Sequence, residues 1–527
     1  MKRNLLFIIA LFVCALSFGQ GEIDAYRYSN EDLSGTARGQ AMGGAFGALG
    51  GDVTGVAVNP AGIGIYRSSE IVANMSLSAP IISGNTNQQS HTAFHFDNLS
   101  YMGYYSLAKG SMLSLNYGFN YNRIKSFDQR YSTSSSAMNS SLTDYIALLT
   151  NGISSSSLQS SPDYNPYSNR NNPWLSVLGY DGYLINPGAN NSYSSFNPTE
   201  QPNSSLKVSE KGKVESYDFT LGANIANKFY WGVTFSLTDL SYLMYSYYDE
   251  SFTQQGSGFN LKNYLETKGS GYQVKLGVIY KPIDALRFGI SFHSPVWYSM
   301  TDYYKAWLTP RNIPMENGQS AGQTSTPGSD PDNDNSPSYT DYYFRTPGSL
   351  TFSAAAVLGT KAIVSVDYEI KNYASMNLKD ANGNNWTDVN DLVSSDYRNA
   401  STLRAGLEFR FSPQFSGRVG YAWVQSPYQS KVNAFGDNFN VGDIAVTAGT
   451  VPHYTLAGNT NYLTAGIGFK FTPQFYGDFA LVLRTEKDDV YYFTPKTDQN
   501  QSELFDSFAG AFTNKTLKGL LTFGYKF

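Results

Sequence analysis

His91, Ala93, His95 and Asp97 recur at every second position, so a strand carrying them would place two imidazoles and a carboxylate on one face. Such a set can hold a transition metal or haem iron. No other histidine lies nearby in sequence, and the residues read as polar groups close to a strand rim. Asp330-Pro331-Asp332-Asn333-Asp334 with Asp341 spaces oxygen donors as a calcium loop does. Asn335 stands where that loop needs glycine and the closing Glu is missing, which leaves a solvated acidic loop. Gly44-Ala45-Phe46-Gly47-Ala48-Leu49-Gly50 has the glycines of a phosphate cradle, but no strand precedes it and no βαβ context surrounds it. There is no Gly-x-Ser-x-Gly elbow and no His-Glu-x-x-His, and His293 and Ser294, being adjacent, would face opposite sides of a strand. The expectation is a non-enzyme with no cofactor and no metal.

Apolar residues in otherwise polar stretches are the better candidates for a binding surface. Leu142, Tyr145, Ile146 and Leu149 have helical spacing, as do Trp174, Leu175 and Leu178 after Pro173. Leu261, Tyr264 and Leu265 are similar, and so are Leu504, Phe505, Phe508 and Phe512. Loops are ordinarily polar surface, so these faces either pack on one another as a cap or line a groove for an apolar ligand.

The elements that must carry these residues are strands. Leu113, Leu115, Tyr117, Phe119 and Tyr121 alternate with Ser114, Asn116, Gly118 and Asn120, and the pattern recurs along the chain, for instance at Leu286, Phe288, Ile290 and Phe292. About fourteen such segments occur, an even number, each near the ~9–11 residues that cross a membrane as a tilted strand. Turns such as Asn227-Lys228, Ser412-Pro413-Gln414 and Thr472-Pro473-Gln474 alternate with long polar stretches around 122–213, 243–270, 299–344, 372–400, 426–460 and 486–514. Short turns on one rim and long loops on the other define an outer-membrane barrel. The 41 Tyr and 33 Phe suit amphipathic girdle positions. Residues 515–527 alternate and stop on Phe527, as a last barrel strand does. In the second segment Phe94 and Phe96 have the opposite parity to Leu99 and Tyr101, which predicts a bulge or a strand start near Asp97-Asn98.

Lys2 and Arg3, the apolar run Leu5–Leu16 and Ser17-Phe18-Gly19 predict a signal peptide over 1–19. Cys14, the only cysteine, lies within it, so the exported chain has no thiol. A net charge of −5 offers no basic footprint for nucleic acid. The expected class is an all-β membrane protein, multi-pass in the Gram-negative outer membrane, an antiparallel β-barrel of about fourteen strands with long extracellular loops containing short helices.

Residues 20–69 precede the barrel at 70–527 and are dense in glycine, as a compact hatch inside the lumen would be. Ser34-Gly35-Thr36-Ala37-Arg38-Gly39-Gln40-Ala41-Met42-Gly43-Gly44-Ala45-Phe46-Gly47-Ala48-Leu49-Gly50-Gly51-Asp52, followed by Asn59-Pro60-Ala61-Gly62, resembles the N-terminal hatch signature of the FadL/TodX family of outer-membrane transporters. Arg345-Thr346-Pro347-Gly348-Ser349-Leu350-Thr351-Phe352 resembles the family's lead-in to a mid-barrel strand. The resemblance implies a fourteen-stranded, hatch-plugged barrel that carries long-chain fatty acids or aromatic hydrocarbons and passes them laterally through the wall. It gives Gly43, Gly44, Asn59, Pro60 and Gly62 to the hatch, with Asn59-Pro60-Ala61-Gly62 as the turn into the first strand. Outer-membrane lipid and an apolar small molecule are the expected partners. Outer-membrane proteins are partners in the alternative reading, an accessory barrel of a secretion or assembly complex.

Overall fold

The computed structural model describes residues 21–81, 92–107, 110–169, 171–197, 200–253, 256–315, 318–328, 338–429, 449–494, 496–497, 503–505 and 507–527. The predicted signal peptide, His91 and the stretch from Asp330 to Asn335 lie outside the described residues.

Fourteen antiparallel strands close one barrel. They are β1 (Glu70–Ile81), β2 (Ala93–Ser106), β3 (Met112–Ser126, resuming at Gln129–Ser135), β4 (Asn203–Ile225), β5 (Phe229–Ser251), β6 (Gly258–Ile283) and β7 (Leu286–His293, resuming at Trp297–Arg311). There follow β8 (Ser338–Arg345, resuming at Ser349–Leu358), β9 (Ala362–Asn372), β10 (Asn399–Arg410), β11 (Phe415–Val424), β12 (Tyr454–Lys470), β13 (Phe475–Tyr491) and β14 (Phe508–Lys526). Pairing of β1 with β14, from Glu70↔Lys526 to Ile81↔Lys515, completes the circle. The second half of β7 takes a short extra strand at Thr324–Ser325, and the first half of β8 another at Asn377–Asp380.

Alternation divides the two faces. Leu115, Tyr117 and Phe119 of β3, Phe288, Ile290 and Phe292 of β7, and Leu517, Leu521 and Phe523 of β14 are exposed outward, while Ser114, Asn116, Asn120, Ser291 and Thr522 are buried inside. An outward belt of this kind belongs in hydrocarbon. Among the described residues no helix is long and apolar enough to cross a membrane; the strands do the crossing.

The parity slip in the second segment is a bulge. Asn74 faces Asn98 and Met75 faces Phe96, so Asp97 is the extra residue of β2. Both Asp97 and Asn98 turn inward as a result.

The long polar stretches are corrected by the structure. All of 203–213, 243–251, 258–270 and 299–311 continue the strands beyond the membrane belt. On these extensions the apolar residues change sides. In β5 Phe235 and Leu237 are exposed outward, whereas Leu240, Tyr242 and Met244 are buried inward. The strand has not slipped; its outer solvent has changed from lipid to water, and the apolar side chains move to the interior. Leu261, Tyr264 and Leu265 therefore lie on β6 and not on a helix, with Leu261 and Leu265 buried inside and Tyr264 on the outer face. Phe508 and Phe512 likewise belong to β14, and Leu504 and Phe505 fall in the short strand Glu503–Phe505.

Inside the barrel lie α1 (Glu22–Ser29), α2 (Ala37–Ala41), α3 (Val53–Val58) and a 3-10 turn at Pro60–Ile65. Above them, α4 (Leu142–Thr150), α5 (Ser155–Leu158), α6 (Trp174–Asp181) and α7 (Thr387–Asp396) form a cap at the long-loop rim. Ser141 and Asp144 make a capping box that starts α4. Leu142, Ile146 and Leu178 share one buried cluster with Ile23, Tyr26 and Tyr28 of α1, which joins cap and lumenal segment.

Candidate functional site

The lumenal segment is built to pack backbone against the wall. Asp52 caps α3 by accepting from the Thr54 amide, and Asn59 caps the 3-10 turn by accepting from the Ala61 amide. Pro60 occupies the first turn of that helix, where its missing N–H costs nothing. Asn59 also donates to the carbonyls of Gly47 at 2.8 Å and of Val278 in β6 at 3.2 Å. The turn thus seats the segment on the wall as well as leading to β1. Gly43 and Gly44 have φ of 65° and 79°, a region glycine enters freely. A Cβ on Gly62 would press on Gly50 and Gly55.

Glycines of the wall complete the fit. Gly222, Gly232 and Gly277 stand side by side on β4, β5 and β6. A Cβ on Gly232 would strike the Pro60 carbonyl and one on Gly277 the Asn59 side chain. Across the lumen, Gly406 and Gly420 pair on β10 and β11 beneath Met42 and Gly43. Strand alternation gives no warning of these sites, because an inward glycine looks like any small lumenal residue.

Polar contacts hold the segment between the two patches. Arg38 Nε lies 2.8 Å from Glu408, which Arg418 also contacts at 2.7 Å. Asp367 accepts from the amides of Phe46 and Gly47, both at 2.9 Å. Arg287 donates to the Leu49 carbonyl at 2.6 Å. Higher up, Glu31 is exposed to the lumen, where desolvation works against its ionisation, yet Lys371 at 3.2 Å holds its carboxyl below the usual range. Burial raises Asp24 against the pull of Arg27.

A cavity of about 610 Å³ lies between α1, the linker Asn30–Leu33 and the wall formed by β12 to β14 and β1 to β3. A smaller one of about 120 Å³ continues below the same linker. Leu33, Phe94 and Phe127 contribute apolar surface to the larger cavity; Arg27, Arg123, Lys125, Arg484, Lys518, Asp32 and Glu486 contribute charge.

Beside this cavity the wall is incomplete. β2 and β3 pair from Ser106↔Ser114 up to Asn98↔Asn122 and no further, although β2 continues along β1 to Ala93. The chain of β3 bulges near Ile124, where the register against β4 shifts, breaks at Phe127-Asp128 and swings towards β14. There Gln129 bonds Asn514 at 3.0 Å and Thr133 donates to the Ala509 carbonyl at 3.0 Å. Side chains replace the missing ladder: Arg123 reaches Asp97 at 3.2 Å and His95 at 2.6 Å, and Lys518 of β14 meets Asp97 at 3.2 Å. His95 and Asp97 therefore face the lumen in an ion-pair network, and no group of three or more metal-ligating side chains occurs among the described residues. Arg123 and Lys518 were not singled out in the sequence, although a charged residue within a membrane strand is itself a signal.

The apolar cap residues meet one another. Leu142, Ile146, Leu175 and Leu178 are buried together; Tyr145 and Leu149 pack on the same cluster, Tyr145 stacked 5.7 Å from Phe493. Trp174 is half-buried with its ring 4.9 Å from Tyr304. None of these residues lines the two cavities described above.

An even-stranded closed barrel with an apolar belt outside, a folded segment inside and long loops on one rim is an outer-membrane β-barrel protein. Its fold is of the FadL/TodX type. It aligns with a Pseudomonas aeruginosa FadL homologue at a TM-score of 0.51 and 12% identity, over 94% of this chain and 99% of that one. The Pseudomonas putida toluene transporter TodX gives 0.47 at 12% identity over 94% and 99%. The monoaromatic hydrocarbon channel CymD gives 0.47 at 12% identity over 94% and 97%. No protein-family model matches the sequence, and no curated protein matches it significantly.

Proposed function

We propose that this protein carries a hydrophobic small molecule across the outer membrane, without a chemical step, and that the molecule leaves the lumen sideways between β2 and β3. The observation that carries this reading is the coincidence of the 610 Å³ cavity with the lapse in β2–β3 pairing. Capture begins at the cap, on the apolar faces of α4 and α6, where Trp174 is the surface-accessible anchor. Leu142, Tyr145, Ile146, Leu149, Leu175, Leu178, Leu261 and Leu265 form the interior that parts to admit the ligand, and Tyr264 marks its outer edge. The segment 21–66, through Gly43, Gly44, Asn59, Pro60 and Gly62, acts as the hatch that blocks the direct route below.

Leu33, Phe94 and Phe127 beside Lys125 and Arg130, which make no ion pair with any described residue, favour a molecule apolar along its length and acidic at one end, a fatty acid in preference to a plain hydrocarbon. Burying ~300 Å² of such a chain at ~25 cal/mol per Å² supplies about 7.5 kcal/mol before the costs of association.

Native mass spectrometry of protein extracted from its own membrane in mild detergent tests the reading. Wild type is expected to carry an amphiphile of defined mass, and filling the cavity with Ala457→Trp and Thr516→Trp to remove it and to slow uptake at least tenfold, the loss of about 1.4 kcal/mol. A ligand-free barrel travelling with stoichiometric protein partners would make the molecule an accessory subunit instead.

A further inference from the structure

The extensions of β4, β5, β6 and β7 present an outer face of which, among the described residues, Lys211 alone also borders the larger cavity. Register places Tyr217, Leu237, Tyr272 and Trp297 in one row across the four strands, with Tyr272 and Trp297 stacked 5.3 Å apart. Such a row marks the membrane–water boundary. Above it, towards the long-loop rim, the same face carries Lys211, Leu243, Glu266 and Tyr303 in one row, then Ser209, Tyr245, Tyr264 and Lys305, then Lys207, Tyr247, Lys262 and Trp307. Lys207, Lys211, Lys262 and Lys305 make no ion pair with any described residue, in contrast to Lys213 and Lys268, which pair with Glu215 and Glu266. Tyr245 is 53% exposed although its ring packs 5.1 Å from that of Tyr264.

Height decides what this face can meet. Ten residues separate Tyr272 from Lys262, about 33 Å along a strand and, at the ~35–45° tilt of barrel strands, about 25 Å in height. The headgroup layer of a bilayer adds only ~5–8 Å to each side of its hydrocarbon, so phospholipid headgroups reach no higher than the first rows. Flat aromatic rings among unpaired ammonium groups suit sugar rings bearing phosphate or carboxylate. Two polar rows, Glu215, Asp239, Ser270 and Ser299 and then Lys213, Ser241, Lys268 and Thr301, join the girdle to them, so a molecule anchored in the adjoining leaflet lies against this face without leaving it.

We infer that the outer face of β4–β7 above the girdle is a docking surface for the anionic glycan of an outer-leaflet glycolipid, held through Lys207, Lys211, Lys262 and Lys305 and stacked on Tyr245 and Tyr264. Full-length protein reconstituted in phosphatidylethanolamine vesicles, with or without lipopolysaccharide, tests this by counting the lipopolysaccharide retained per barrel after extraction in mild detergent. Wild type is expected to retain it, less so as salt rises. The fourfold charge reversal Lys207→Glu, Lys211→Glu, Lys262→Glu and Lys305→Glu is expected to lower retention at least about fivefold, with loss at each site screened by salt. Tyr245→Ser with Tyr264→Ser, which keeps every charge, is expected to lower it too. Heat modifiability on electrophoresis shows that the variant barrels have folded. Equal retention by the charge-reversed barrel overturns the assignment. So does equal retention of phosphatidylglycerol, which would reduce the effect to headgroups, or a co-purifying protein lost with the same substitutions while lipopolysaccharide is unaffected.

Discussion

Asp181, the last residue of α6, occupies a doubly unfavourable position for a carboxylate: it is partly buried in the cap and stands at a helix C-terminus. Burial raises its pKa from 3.8 to about 6. A carboxyl whose folded pKa lies above its unfolded value favours the folded cap most at acid pH. That contribution is fully present below about pH 4 and is lost as pH rises through about 6. Amide exchange of α6, corrected for intrinsic rates, is therefore expected to be slower near pH 4 than near pH 7, with Asp181→Asn flattening the difference. A variant that keeps the full pH dependence would show that another group is responsible. Arg123 is a contrasting case at the same scale, since its charge is matched by Asp97 and its task is mechanical, spanning strands that backbone bonds do not join.

Among elements, the wall glycines set the position of the lumenal segment. Gly232→Val and Gly420→Val would each drive side-chain atoms into the backbone of the segment at Pro60 or Met42-Gly43. The segment cannot yield without losing contacts such as Arg38–Glu408, and breaking one partnered buried charge costs ~3–5 kcal/mol. Both variants are expected to keep a heat-modifiable barrel while residues 35–66 become open to proteolysis; protection equal to wild type would mean that the wall bends instead. The fourteen membrane crossings were legible because lipid imposes one rule, apolar outward, on Leu115, Tyr117, Phe119 and their counterparts. The extensions were not legible, because Leu240, Tyr242 and Met244 obey the opposite rule once water replaces lipid. A reader following one phase sees the strand stop at Leu237. Helices α4 and α6 were visible through their 3.6-residue spacing, and the same spacing misled at Leu261, Tyr264 and Leu265, where the two leucines are four apart and satisfy either period. The cavity was not legible, since its walls come from the segment Ile23–Leu33 and from strands at both ends of the chain.

At the scale of the whole molecule, the lumen is filled by one segment, and a barrel of this size without it would be a pore. Removal of residues 21–66 is expected to give steady ion conductance in planar bilayers where the intact protein shows little; equal conductance would place the main barrier in the cap. The seam between β1 and β14 has one more consequence, for the order of assembly. Ala37 in the lumenal segment donates to Thr522, and Thr522 to Asn74, at 2.7 and 2.6 Å, bonds that tie residues more than four hundred positions apart. Such distant contacts form late and slowly. The glycine-rich lumenal segment therefore stays unburied until the final strand arrives to wall it in, and the step that shuts the barrel is also the step that first gives its occupant a stable shape.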